Sequence, residues 1–236
     1  MSIVLHAPPT PSAPGLLLRP WRDGDAEALL AAYRDPVLLS WTRNPVTTPA
    51  EARAFLRRSQ QGWAAGRRFS FAVLEPTPDG QRLVAHVLLK EVTPGRPYAE
   101  IGYWTVASAR GRGIAPRAVD AVSDWAFARF AAAGLTRLEL LHQVDNPASC
   151  RVAEKSGYVF EEVLRARPPF PRDGHRHVRR RPWPAPGHLP AGRSQGQGHR
   201  DAEPEQPIAR TSDPSLRVGR PPGPPGMCAA RDPGCR

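Results

Sequence analysis

Residues 98–115 read YAEIGYWTVASARGRGIA. The first part alternates as a strand, the Arg/Gly run is a loop, and Ile114 and Ala115 lead straight into a stretch with helical apolar spacing. That order suits a phosphate-bearing cofactor. The start of a helix leaves backbone N–H groups without intrahelical partners and carries partial positive charge, and glycines let the chain approach a pyrophosphate closely. Arg110 and Arg112 are expected to add full positive charges. The string by itself is weak evidence, because Arg-x-x-Gly-x-Gly/Ala arises by chance on the order of once per two chains of such composition. A second match running from Arg193 to Gly198 has no strand before it and no helix after it, so context selects the first.

Upstream, residues 16–22 read as a strand and 25–33 as a helix, followed by a Pro-bounded loop. Thr48 caps the next helix, with Glu51 completing a capping box, and Gly66 ends it. Residues 69–74 and 83–90 form strands of a hairpin across the Pro-Asp-Gly turn at 78–80. Downstream, Ala118, Val122, Trp125, Ala126 and Phe130 repeat at helical spacing, with Pro116 in the first turn and Gly134 past the end. Residues 136–144 alternate as a strand, Asn146 and Pro147 open a short helix over 148–156, and 158–164 is the last strand visible. The order implies an α/β domain: a mixed, mostly antiparallel sheet flanked by helices, with the cofactor loop at the carboxyl end of its strand.

The 236 residues hold room for one domain and something extra. From residue 168 to 236 the chain carries 15 Pro and 9 Gly in 69 residues without apolar periodicity, a composition that does not order itself. This predicts a loose segment over 1–15, a domain over 16–167 and a Pro/Arg/Gly-rich disordered tail over 168–236. The net charge of +11 divides into +6 for the tail and +5 for the rest, so nucleic acid is not the expected partner. Cys150, Cys228 and Cys235 lie far apart without metal-ligand spacing, which predicts a reducing, cytoplasmic setting and no metal site. No stretch nears the roughly 18 apolar residues of a membrane span.

The order of elements, with EIGYW before ARGRGIA and then VDNPASCRVAEKSGY, resembles the GNAT acetyltransferases, most closely their RimJ/RimL-type branch. The resemblance covers residues 16–167. It implies acetyl-CoA as cosubstrate and direct transfer of the acetyl group to a primary amine, either a protein N-terminal α-amine or that of a small molecule, by a monomer or homodimer. Carried over by position, it places the pyrophosphate on the backbone of Arg110, Gly111, Arg112, Gly113, Ile114 and Ala115. Thr105 and Val106 then supply backbone groups that pair with pantetheine and polarise the thioester, with Asn146 near the cofactor and the Ser149 hydroxyl near its sulfur. An alkylammonium must lose a proton before it attacks, and a leaving thiolate benefits from a donor. Glu100, on the same strand face as Trp104, is the candidate base or an anchor for the substrate ammonium, and Ser149 is the candidate donor or simply a helix-start residue. His142 reads as packing or cleft lining, and Cys150 as an inert small side chain.

The family closes its sheet with a further strand, and here Arg172-Asp173-Gly174 gives way to HRHVRRRPWPAPG, so the final strand is expected to be missing. A Pro- and Arg-rich run beginning inside a domain is what a reading-frame shift in a GC-rich gene produces. Two alternatives to the enzyme follow. One is a CoA-binding relative without turnover, and the other an RNA-associated protein acting through its basic tail.

Overall fold

The computed structural model describes residues 3–168 and 171–181. One eight-stranded sheet organises them, in the order β1-β2-β3-β4-β5-β6-β8-β7. Its strands are β1 (Leu5–Ala7), β2 (Leu16–Pro20), β3 (Phe69–Thr77), β4 (Gly80–Lys90), β5 (Tyr98–Thr105), β6 (Arg137–Gln143), β7 (Val159–Leu164) and β8 (Gly174–Arg180). All neighbours run antiparallel except β5 and β6, which are parallel.

Helices cover both faces, as the alternation of the strands requires. α1 (Ala26–Ala32), α2 (Pro36–Trp41) and α3 (Pro49–Ala64) lie on one side, where Leu29, Leu38 and Leu56 meet Ala72 and Leu74. α4 (Ile114–Phe130) lies on the other, burying Ala118, Val119, Val122 and Ala126 against Phe71, Val73, Val87 and Ile101. α5 (Pro147–Lys155) packs beside α4. Adjacent residues on β3 thus serve different cores, Phe71 and Val73 one and Ala72 and Leu74 the other, because successive side chains of a strand point to opposite faces. The capping box at Thr48 and Glu51 forms as read. Among the described residues no helix is long and apolar enough to cross a membrane.

Three expectations need correction. The final strand is present: β8 inserts between β6 and β7, pairing Leu140 with His177 on one side and Val159 with Val178 on the other. Its inward positions are filled by His175 and His177, 1% and 0% exposed, rather than by the aliphatic side chains that make a strand conspicuous. Arg179 reaches Asp120 and Asp124 on α4, and Arg176 and Arg180 pair with Glu162 and Glu161 across the sheet. The domain therefore runs past 167 to at least Arg181, whose N–H donates to the Thr136 carbonyl. The N-terminal segment is not loose either, since β1 pairs with β2 and Arg117 donates to the Pro8 and Pro14 carbonyls. The Pro-bounded loop contains α2, started by the Asp35 side chain accepting from the Val37 N–H, with Pro36 in the first turn. The readings of residues 182–236, as a disordered, frameshifted or RNA-binding tail, lie outside the described residues.

Candidate active site

The parallel pairing of β5 with β6 ends at Ile101 and Leu140, although β5 continues to Thr105 and β6 to Gln143. The two strands part there and leave a gap. The Val106 N–H donates to the Val84 carbonyl on the β4 side at 2.9 Å, so alternation turns the backbone groups of Thr105 and Tyr103 toward the gap. Thr105 is thus placed to pair with an extended ligand. Val106 is not, because its carbonyl also accepts, from the Ala109 N–H at 2.9 Å.

At the end of β5 the chain turns through the glycine loop into α4. Gly111 and Gly113 have φ of 75° and 69°, a left-handed conformation that favours glycine. No side chain caps α4, its first turn holds no acid, and Pro116 lacks an N–H. The opening N–H groups of a 17-residue helix therefore face the gap with no carboxylate of the helix competing for an anion.

The guanidinium groups of the loop do not stand ready for phosphate. Arg112 donates to both oxygens of Glu75, at 3.1 and 2.6 Å, and Arg82 binds the same carboxylate. Arg110 pairs with Asp35, the cap of α2. Hydrogen bonds from Arg112 first, and from Arg82, hold the Glu75 carboxyl below its usual range despite burial. The expected extra charge is thus largely neutralised, and the backbone is the anion-binding element. On the outer side of the loop a second groove contains Arg112, Arg117 and Lys155, and Arg117 Nε and Nη1 are buried there without hydrogen-bond partners.

A cleft of about 340 Å³ joins these parts. It brings together Tyr103, Thr105, Arg110, Gly111, Gly113, Ile114, Ala115, Asn146 and Ser149, and Trp104, Val37 and Trp41 also line it. The Asn146 side chain accepts from the Ser149 N–H at 3.2 Å and so starts α5. This aims the Ser149 hydroxyl at the Tyr103 phenol, 3.0 Å away. Burial raises the Tyr103 pKa, partly offset by Ser149, and keeps the phenol protonated at neutral pH.

Glu100 is not among the residues lining this cleft. It lies four residues before Trp104, about 13 Å along the strand. There it pairs with Lys90 at 2.7 Å, next to Glu139 on β6, which in turn meets Arg137 and Arg176. Burial raises its pKa, and Lys90 opposes part of that shift.

Two groups escaped the sequence reading. Asp35 followed by Pro36 is a recognisable helix start that would have revealed α2 and its cleft-facing Val37 and Trp41. No spacing signal links His142, Cys150, His175 and His177, which converge from β6, α5 and β8 with one ligand-type atom each, all within 4.8 Å. Burial lowers the pKa of His142, and burial with the neighbouring imidazoles lowers that of His177 to about 4, so both are neutral at physiological pH.

A gap between parting parallel strands, beside a glycine loop at a bare helix start, defines a protein that threads an elongated phosphate-bearing cofactor through its sheet. Residues 15–159 match the family model described as acetyltransferase (GNAT) domain, and the chain belongs to that family. Acetyl-CoA is the cosubstrate that goes with it. The ribosomal-protein-serine acetyltransferase of Escherichia coli K12 is 26% identical over 129 residues, 53% of this chain and 70% of that protein. RimJ of Mycobacterium smegmatis, solved with CoA-disulfide, superposes with a TM-score of 0.61 at 25% identity, covering 76% of this chain and 86% of that one. Microcin C7 self-immunity acetyltransferase MccE, solved with acetyl-CoA and AMP, shares the fold with a TM-score of 0.61 at 20% identity over 72% and 97% of the two chains.

Proposed function

We propose that the protein transfers the acetyl group of acetyl-CoA to the α-amine of a protein N-terminus. The observation that carries the mechanism is the Ser149–Tyr103 hydroxyl pair on the same cleft as the glycine loop. The pyrophosphate lies on the opening N–H groups of α4, pantetheine pairs with the backbone of Tyr103 and Thr105, and the Thr105 N–H polarises the thioester carbonyl. The basic groove with Arg117 and Lys155 takes the remaining phosphate.

The substrate ammonium first gives up a proton. Its nitrogen then attacks the carbonyl carbon, the C–N bond forms and the C–S bond breaks. The departing sulfur takes a proton from the Ser149 hydroxyl, Ser149 is replenished from Tyr103, and the second proton lost by the nitrogen returns to Tyr103 through water. One proton is released overall. Glu100 is too far back along β5 for direct transfer, so in this reading it accepts protons through water along the Trp104 face.

The relative named for a ribosomal protein supports a peptide acceptor, for which Val37, Trp41 and Trp104 supply apolar lining in the cleft. The presence of β8 removes the reason for reading a relative without turnover. The test is acetyl-CoA calorimetry followed by an assay of CoA release with N-terminal peptides and with small amines. Acetylation of peptides supports the proposal, whereas turnover confined to small amines overturns the acceptor and binding without turnover overturns the chemistry.

A further inference from the structure

We infer that the outer face of α3 docks the acidic side chains of an acidic acceptor peptide, a substrate class whose assignment rests on the N-terminal acceptor proposed above. Between residues 49 and 68 the chain carries five arginines, Arg53, Arg57, Arg58, Arg67 and Arg68, against one acid, Glu51. That acid is already committed: its carboxylate accepts from the Thr47 and Thr48 N–H groups and from the Thr47 hydroxyl at the helix start. All five arginines are exposed, and among the described residues none of their side chains has an ion pair or hydrogen bond. Asp23, which reaches α3 from its neighbour, accepts from Gln60 at 2.9 Å instead. Elsewhere the domain neutralises its arginines, as Arg110, Arg112, Arg176 and Arg179 show by each meeting a carboxylate. Arg53 and Arg57, four apart, share one side of the helix, where like charges repel and weaken it until a counter-charge arrives.

The patch adjoins the cleft. Trp104, which lines the cleft, meets Tyr33 at 5.7 Å and Trp21 at 6.2 Å between ring centres, and Trp21 in turn meets Phe55 of α3 at 5.3 Å. α3 is therefore two ring contacts from the cleft wall, a reach of roughly three to five extended residues at about 3.3–3.6 Å each. Arg58 stands on this side: burial raises the Tyr33 pKa, and the Arg58 charge is among the groups that oppose the rise. Arg58 is also near Arg68, whose pKa is lowered by partial burial first and then by the Arg58 charge. Glu100 acts on Arg68 in the opposite sense but is itself paired with Lys90 at 2.7 Å.

The planar guanidinium matches a carboxylate with two parallel hydrogen bonds, so Asp and Glu side chains of the acceptor suit this surface. RNA offers negative charge too, but single-stranded RNA is held in addition by bases stacked on exposed aromatic rings. The aromatic rings of α3 turn inward instead: Phe55 packs on Trp21 and His86, and Trp63 on Phe69, Phe71 and Trp125. The patch thus supplies charge without a stacking platform, which favours the peptide.

The test uses the full-length chain saturated with coenzyme A and two fluorescent peptides whose α-amine is already acetylated. One carries Asp and Glu at its third to sixth positions, the other Asn and Gln. Binding is read by anisotropy, which needs no turnover and so judges the surface separately from the chemistry. The acidic peptide should bind roughly tenfold more tightly at low salt, the scale of two or three exposed charge pairs, and the difference should vanish at about 0.5 M salt. Replacing both Arg57→Glu and Arg58→Glu should erase the preference, whereas Arg57→Lys with Arg58→Lys should keep most of it. Coenzyme A titration reports whether each variant is folded. With free α-amines, the same preference should appear in kcat/KM, chiefly through KM. Equal binding of the two peptides, or a preference that survives charge reversal, overturns the proposal. An RNA oligonucleotide that binds more tightly than the acidic peptide, and is lost in the charge-reversed protein, assigns the patch to RNA and overturns it as well. A binding preference without peptide turnover strikes the N-terminal acceptor and leaves the acidic-peptide surface standing.

Discussion

Ser149 owes its position to its neighbours: Asn146 holds its backbone and Tyr103 its hydroxyl. Ser149→Ala leaves that backbone bond in place and removes only the proton donor. Turnover should fall about 100-fold while acetyl-CoA affinity by calorimetry stays the same, and an unaltered kcat would dismiss Ser149 as donor. Glu100 tests the other half of the proton path. A base works only when deprotonated, and burial lifts its pKa above the ordinary carboxylate value, so kcat/KM should decline on the acid side of that raised value. Glu100→Gln should lower turnover about 100-fold and erase this acid limb. If the limb persists in the variant, Glu100 belongs to the charge ladder with Lys90 and Glu139 and not to the chemistry.

The start of α4 and its loop are held by two ion pairs from different elements. Asp35 serves both as cap of α2 and as partner of Arg110. Asn caps as well as Asp, so Asp35→Asn spares the helix and frees the guanidinium for the cofactor phosphates. Coenzyme A should bind about threefold more tightly, the scale of one partly exposed charge pair, and the gain should vanish at high salt. Glu75 anchors Arg112 with a depressed pKa, so its contribution to stability is complete above the ordinary glutamate value and is lost as pH falls through the lower folded value. Its arginine partners are a third to a half exposed, which keeps that contribution near about 1 kcal/mol. Urea midpoints for wild type and Glu75→Gln should differ at pH 7 and converge in acid below the ordinary carboxylate range. A difference independent of pH would mean that the pair does not act through its charge.

For the whole molecule, chain order and sheet order differ at one decisive place: β8 follows β7 in sequence but lies between β7 and β6. Truncation after residue 167 should therefore cost more than one strand, because it also detaches β7 and the contacts of Arg179 with α4. A chain ending at 181 should bind coenzyme A and unfold cooperatively, while one ending at 167 should do neither. Circular dichroism and calorimetry distinguish them, and a cooperative 167-residue fragment would mean that β8 is dispensable.

The glycine loop, the capping box of Thr48 and Glu51 and the alternation of β3 to β6 were legible because each is written by local rules of backbone conformation and period. The same local chemistry identified the cofactor loop and the Asn146 helix start, and their spacing fixed the family. What sequence could not decide arises from pairing between distant segments. It missed β8 because imidazoles, rather than aliphatic groups, fill its inward positions, where they lie beside His142 and Cys150, 33 and 25 residues upstream of His175. It overrated Arg110 and Arg112 because Asp35 and Glu75, which neutralise them, lie 75 and 37 residues upstream and meet them only in the folded domain. Short-range sterics and hydrogen bonding determine the elements from sequence alone. Which charges cancel, which strand lies inside, and which donors converge depend on the packing of the whole sheet.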